Sequence, residues 1–581
     1  MTLHGGSRVL RHILPVIALF CAACAAGPTV EPADLVLRNG HIVTVDDSQP
    51  EAQAVAIRGH TIVAVGTDDE IAQYIGADTE VIDLAGRLAM PGFIEGHGHF
   101  MGLGQAKMNL DLMGVRNWDE VVGMVAAAAR DVRQDAWIVG RGWHQEKWDR
   151  APEPNVQGIP LHTSLDSVSP NNPVILTHAS GHMSFVNKRA LDLAGIDRNT
   201  PDPAGGEILK DEQGNPTGLL RQNAQGLATR ARSRAEQGRT DADRETESRR
   251  AAQLAAEEAL SKGVTSFHDA GVSYGVVDFY RRLESENALP VRLYVMIRAS
   301  NDEHERNLAE YFSPAGENDF LVVRSIKVSI DGALGSHGAW LLEPYADRAG
   351  HTGFSTTPVE SVSRTAELAI ANGFQLNIHA IGDRGNREVL DIYERTFQAN
   401  PGSSDLRWRI EHAQHLNPAD IGRFGQLGVI ASMQGIHATS DAPWIPPRLG
   451  AERARTGAYV WRSLMDSGAI IANGTDAPVE DVDPIASFHA SVSRRTNTGE
   501  VFYGEQRMTR EEALRSYTLN NAYAAFEEDA KGSITAGKLA DIVVLSQDIM
   551  RVPEEQIPSA RVDYTIVGGQ VRYRRQDIAG R

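Results

Sequence analysis

Two histidines one residue apart, His97 and His99, close the apolar run Leu88-Ala89-Met90-Pro91-Gly92-Phe93-Ile94-Glu95-Gly96. In an extended strand side chains alternate, so both imidazoles project from one face, and Gly98 leaves room between them. That spacing suits two ligands of one metal ion; the competing reading is a histidine pair satisfied by ordinary hydrogen bonds. Other chemistry-bearing residues recur at the ends of later apolar runs. They are Lys327 with Asp331-Gly332 after it, His379, Glu411-His412 and Thr475-Asp476. Neutral imidazoles and a carboxylate suit Zn²⁺ or a similar divalent ion. The only two cysteines, Cys21 and Cys24, lie near the N-terminus, so no thiolate is on offer further along the chain. A lysine ordinarily repels cations, yet in an apolar site its pKa falls, and the neutral amine can react with CO2 to give an anionic carbamate. The alternative for Lys327 is a structural lysine paired with Asp331 or Asp269.

These residues need a scaffold that brings strand ends together. Eight short apolar runs, at 88–96, 264–268, 291–297, 322–330, 375–378, 407–410, 429–433 and 470–472, are each followed by a stretch with helical period. Strands alternating with helices predict parallel β/α units, and eight of them predict an α/β fold of the (β/α)8, TIM-like barrel type. Such barrels carry their chemistry at the C-terminal ends of the strands, where the following loops converge. Helix starts are legible at Asn417-Pro418 and at the capping box Thr509-x-x-Glu512, which opens a run to Phe526.

The span 104–262 between the first and second runs is too long for a structureless loop and predicts an inserted cap subdomain over the barrel mouth. It contains an Ala-rich helix at 119–132, the run Trp137 to Trp143, and a charged helix from about Thr240 to Leu260. At both chain ends the texture changes to short β-branched runs. Hairpins hinged at Asn39-Gly40 and Gly59-His60, together with Gly532-Ser533-Ile534, 541–545 and 564–573, predict one composite β-sandwich built from 34–87 and 531–581. The barrel then occupies 88–530.

The ordered set resembles the amidohydrolase superfamily: H-x-H after Pro-Gly-Phe-Ile, then a strand-four Lys, a strand-five His, a strand-six His and a strand-eight Asp. Several further motifs resemble its YtcJ-like branch, amidohydrolase family 3. These are Gly142-Trp143, Gly181-His182 with Asn187, Gly205-Gly206, Val264-Thr265-Ser266 with His268-Asp269-Ala270-Gly271, His379-Ala380-Ile381-Gly382-Asp383 and Gly537-Lys538-Leu539-Ala540-Asp541-Ile542-Val543. The resemblance covers nearly everything after Asp34. It implies two Zn²⁺ ions bridged by carboxylated Lys327, one held by His97, His99, Lys327 and Asp476, the other by Lys327, His379 and His412. Asp476 would also take the proton from the attacking water and pass it to the leaving nitrogen; its alternative is a helix cap before Ala477-Pro478. Glu411 and Asp383 would orient the ligand histidines or form structural salt bridges, and Asp331 stands between such an orienting role and a turn former.

For substrate contact the insertion offers Trp143, His144, Trp148, His178 and His182, and later loops offer His337, His415, Gln434 and His437, each of which could equally pack. His337 and Gln222 stand where similar proteins lead one to expect Arg and Glu.

Composition bounds the partners. With 57 Lys and Arg against 76 Asp and Glu the net charge is -19, which argues against nucleic acid or an anionic membrane surface as a partner. Residues 1–24 read as a signal peptide: Arg8, Arg11 and His12 precede an apolar run at 13–23, too short to span a bilayer. Cys21-Ala22-Ala23-Cys24 resembles a lipobox with Cys24 as the lipidated residue and 25–33 as a tether; secretion without a lipid is the alternative. The expectation is an exported protein on the periplasmic face of the outer membrane, touching membrane only through its lipid, acting on a small molecule, with an isologous homodimer as the base expectation. The predicted activity is hydrolysis of a C–N bond, amide or N-acyl, by metal-bound hydroxide. Cyclic amide or ester hydrolysis on the same site, and a non-catalytic binding lipoprotein, are the alternatives.

Overall fold

The computed structural model describes residues 30–235, 240–316 and 318–576. The predicted signal peptide and lipobox, with Cys24, and residues 25–29 of the predicted tether lie outside them. No helix among the described residues is long and apolar enough to cross a membrane.

Eight parallel strands form one sheet in chain order: β1 (Phe93–Gly98), β2 (Val264–Val272), β3 (Arg292–Ile297), β4 (Leu321–Ser329), β5 (Gln375–Ala380), β6 (Arg409–His412), β7 (Ile430–Gln434) and β8 (Ile471–Gly474). Helices between them cover the outside, so the strands are enclosed on both faces and β1, β3, β6, β7 and β8 are buried throughout, as parallel sheets require. The two edges meet beyond the last ladder pair: Asp476 N–H donates to His97 O and His99 N–H to Ala477 O, both at 2.7 Å. The result is a nearly closed α/β barrel of the TIM type.

The first predicted strand, 88–96, is two strands. Leu88–Pro91 pairs with His41–Val43 and Ile542–Leu545 in a separate six-stranded sheet, and β1 starts only after Gly92. The chain changes sheets at Gly92, and the position takes glycine because a Cβ there would run into the Thr265 side chain. The predicted hairpin at Asn39-Gly40 also divides. Leu35–Arg38 joins a four-stranded sheet, pairing with Ala54–Arg58 and Glu80–Asp83, while His41–Val43 enters the six-stranded one. Asn39 adopts a left-handed φ of 56° at this crossing. The hairpin at Gly59-His60 is present, and Val562–Val567 with Gln570–Arg574 forms another around Gly568-Gly569. Residues 532–534 form no strand, although Ile534 is buried and its N–H reaches Thr44 O at 2.7 Å. One apolar cluster, including Leu37, Ile57, Ala89, Val544 and Ile566, draws on both sheets and both chain ends.

Between β1 and β2, a six-stranded sheet of Leu110–Asp111, Ile138–Trp143, Val174–His178, Met183–Val186, Gly206–Lys210 and Pro216–Gln222 has its own core around Trp118, Trp143, Leu176 and Phe185. The helix Asp241–Ser261, grouped with the cap on sequence, belongs instead to the barrel wall. Its capping box uses Thr240 and Asp243, and Ala252, Ala255, Ala256 and Ala259 enter the barrel cluster. Small side chains let it lie close to Phe100–Met108, where a Cβ at Gly104 would meet the Ala251 backbone. The run from Thr509 to Phe526 is likewise two helices, Arg510–Ser516 and Leu519–Ala524, broken at Thr518. Asn521 from the second reaches inward to the carbonyls of Ile94 and Asn473 at 2.6 and 2.8 Å.

Candidate metal centre

At the C-terminal end of the barrel the strand ends bring histidines, a lysine and carboxylates together. Period-two alternation puts Glu95, His97 and His99 on one side of the chain. His97 is fully buried and His99 borders the opening. Their Nε2 atoms lie 3.6 and 3.2 Å from Asp476 Oδ1. Asp476 has φ 59° and His412, at the end of β6, φ 76°. Non-glycine residues in this region store on the order of 1–3 kcal/mol each, and such outliers gather at functional sites.

His97 and His412 are each held from behind through Nδ1, which turns Nε2 inward. His97 Nδ1 meets Glu411 Oε2. Glu411 is itself fixed by Arg409, whose Nε lies 2.7 Å from Oε1 and whose Nη2 also donates to Gly96 O (2.7 Å) and Ser432 Oγ (2.8 Å). His412 Nδ1 bonds Gln434 Oε1 at 2.8 Å. The His412 ring lies 4.7 Å from that of His97 and 4.6 Å from that of His379. His379 turns Nε2 toward Asp331 Oδ1 at 3.5 Å, too long for a hydrogen bond. Asp331 is occupied by the backbone N–H groups of Trp340, Ile381 and Gly382 at 2.9, 3.0 and 2.8 Å, so it shapes the loop after β5.

Lys327 is buried, with Nζ 3.4 Å from His97 Nε2. It forms no ion pair with Asp331 or Asp269 among the described residues; Asp269 instead accepts from Tyr280 Oη (2.7 Å) and Phe100 N–H (3.2 Å). Burial pulls the Lys327 ammonium down to about 8, against the attraction of Glu411 and Asp476. Burial also holds His97 and His379 well below the usual imidazole range and His412 down to about 4, so these rings are neutral donors of a lone pair. For Asp476 burial works the other way, but the hydrogen bond from His99 and the surrounding imidazoles outweigh it and keep the carboxylate ionised.

This donor set fits a divalent ion. Ligating atoms of His97, His99 and Asp476 lie within 4.8 Å of one another, as do those of His412, His437 and Asp476. Among the described residues His437 Nε2 is buried without a hydrogen-bond partner. His437, grouped on sequence with substrate contacts, thus stands beside His412, while its Nδ1 meets Gln414 Nε2 at 3.2 Å.

Several predicted contacts sit elsewhere. Asp383 opens the helix Asp383–Ala399, accepts from Leu342 N–H (2.9 Å), and lines a cavity of about 90 Å³ with His415 and Arg453, rather than orienting a ligand histidine. His415 is buried with neither ring nitrogen bonded. Trp143 is buried in the cap core with its indole N–H on Leu176 O (2.8 Å). His337 pairs with Asp347 at 3.1 Å, and His182 Nδ1 with Gln222 Oε1 at 3.1 Å. His144 accepts the Glu146 N–H (3.2 Å) and lies ring to ring with His178 at 4.4 Å. Gln434 does reach the centre, through His412.

Sequence reasoning missed Glu95, Arg409 and Arg141. Glu95 lies two residues before His97, so strand alternation alone could have found it. Arg409 stands two residues before Glu411 on the same strand face, so alternation points to it as well; Arg141 carries no local signal, since the carbonyl it meets is that of Ala179.

The chain matches the protein family described as "Amidohydrolase family" over residues 80–573. It is 30% identical to the putative amidohydrolase YtcJ of Bacillus subtilis (strain 168) over 93% of this chain and 99% of that one. It is 29% identical to the N-substituted formamide deformylase of Arthrobacter pascens over 93% and 98%. Among solved structures, an uncharacterized metal-dependent hydrolase from Pyrococcus horikoshii OT3 superposes with a TM-score of 0.72 at 25% identity, over 90% of this chain and 99% of that one.

Proposed function

The chain belongs to the amidohydrolase family and is a metal-dependent amidohydrolase, and from that premise we propose that it hydrolyses a carbon–nitrogen bond, an amide or N-acyl bond, at the mouth of the barrel. The observation that carries this reading is the meeting of His97, His99 and Asp476 beside buried Lys327. The deformylase relative, named for a substituted formamide, supports an amide as the bond cleaved.

In this reading His97, His99 and Asp476 would hold one divalent ion and His412 and His379 a second, with Lys327, as a carbamate, supplying an anionic ligand. A pKa near 8 leaves Lys327 a useful neutral fraction for addition to CO2, which forms the N–C bond and releases one proton. Metal ions bound there supply Lewis acidity, lowering the pKa of a water and polarising the carbonyl. The residues do the rest. Glu411 fixes the His97 tautomer so that Nε2 faces inward, and Arg409 fixes Glu411. Asp476, ionised, accepts the proton of the attacking water on its free oxygen and returns it to the leaving nitrogen.

The test is elemental analysis of protein expressed from Ala25 onward, followed by a screen of N-formyl and N-acetyl amines on the zinc-loaded enzyme. Two equivalents of metal with amide turnover support the reading. No metal retained after reconstitution with Zn²⁺ and bicarbonate sinks it.

A further inference from the structure

Two neighbouring strands of the cap hold donors that meet no acceptor. Ile138–Trp143 runs parallel to Val174–His178, with Arg141 opposite Thr177 and Trp143 opposite His178. Arg141 Nη2 donates to Ala179 O at 3.0 Å, while its buried Nε has no partner. The backbone N–H of Ser180 donates to His178 Nδ1 at 3.1 Å. A backbone amide can only donate, so Nδ1 is the acceptor and the proton of the neutral ring sits on Nε2. That Nε2–H is also buried without a partner. Trp143 packs edge-on against the His178 ring, with centroids 4.8 Å apart, and holds its direction.

Asp476 is the charged group that acts on the Arg141 guanidinium, opposing the effect of burial, and Arg141 in turn acts on His178. A partly desolvated positive charge beside a fixed neutral donor is costly without an acceptor-only partner. Among the described residues the Arg141 guanidinium pairs with no carboxylate, and its hydrogen-bond acceptor is the Ala179 carbonyl.

We propose that Arg141 and His178 form an anion subsite under the cap, and that the substrate is an amide carrying a free carboxylate away from the scissile bond. This rests on the hydrolase reading above. A carboxylate accepts from a guanidinium and an imidazole N–H together, whereas a neutral substrate leaves the charge unanswered.

The experiment compares N-acetyl-4-aminobenzoate with N-acetyl-4-toluidine on the zinc-loaded enzyme, and in parallel measures binding of 4-aminobenzoate against 4-toluidine by calorimetry. The expected result is at least a tenfold preference for the carboxylate in kcat/KM, carried by KM, and a matching preference in binding. Arg141→Gln narrows both toward parity, Arg141→Lys restores part, and His178→Phe weakens both. Equal kcat/KM for the two substrates, or 4-aminobenzoate binding untouched by Arg141→Gln, overturns the proposal. If neither amide is cleaved but the carboxylate still binds in an Arg141-dependent way, the subsite stands and the hydrolase reading falls. Should Arg141→Gln fail to fold, the wild-type preferences and His178→Phe still decide.

Discussion

The Glu95 carboxyl group accepts the Thr475 backbone N–H at 2.6 Å and the Thr475 hydroxyl at 3.1 Å. It thereby ties the strand that carries His97 and His99 to the one that leads into Asp476. Burial pushes Glu95 up to about 8, so near neutrality it is largely uncharged. The strands approach closely here: a Cβ on Gly474 would lie 2.5 Å from Glu95 Oε1 and 2.6 Å from the His97 nitrogen.

Glu95→Ala strips three buried donors of their acceptor, the Thr475 N–H and hydroxyl and the His97 N–H, and is expected to lower unfolding free energy by about 2–4 kcal/mol. Glu95→Gln, which mimics the neutral acid, should cost less than half as much. Urea unfolding with an unchanged m-value checks both, and an alanine variant as stable as wild type would show that this contact does not hold the barrel seam.

Glu411→Gln leaves His97 Nδ1 without its anionic partner and Arg409 without its counter-charge. Zinc affinity of the folded protein should fall roughly 10–100-fold, the usual effect of losing a group that orients a ligand. Competition against a chromogenic chelator measures it; unchanged affinity would remove His97 from the ligand set.

Lys327→Ala and Asp476→Asn should separate two roles. The first is expected to lose metal, seen by elemental analysis. The second should retain metal while kcat falls by about 10²–10⁴, the range for a lost general acid–base group. Near-normal turnover in Asp476→Asn would reassign the proton transfer.

Away from the centre, Glu512 caps Arg510–Ser516 and pairs with Arg462 at 2.5 Å, which holds its carboxyl down to about 2. A lowered carboxyl pKa stabilises the fold fully above about pH 4.5 and is lost as the pH falls toward 2. Both side chains are about a third exposed, so solvent screening cuts the gain to roughly 1 kcal/mol at pH 7. The stability gap between wild type and Glu512→Gln should therefore shrink below pH 4.5; a gap independent of pH would exclude the ion pair as its source.

Local order in the chain determined a good deal of this. The eight apolar runs and the helical periods between them announce the barrel, because strand and helix periodicities are written in adjacent residues. His97 and His99 are legible for the same reason, as are Asn417-Pro418 and the Thr509 capping box. Tertiary structure decided what depends on residues far apart. It split 88–96 at Gly92, because the two halves pair with different strands far away in sequence, His41–Val43 and Ile542–Leu545 for one and Val264–Val272 for the other. It moved Asp241–Ser261 from the cap to the barrel wall, since a small-residue face shows that a helix packs closely but not against what. It buried Trp143 and drew Asp383 and His415 into a separate cavity. Glu95 and Thr475 are 380 residues apart. Their contact exists only because a twisted parallel sheet closes on itself, and no local pattern encodes that closure.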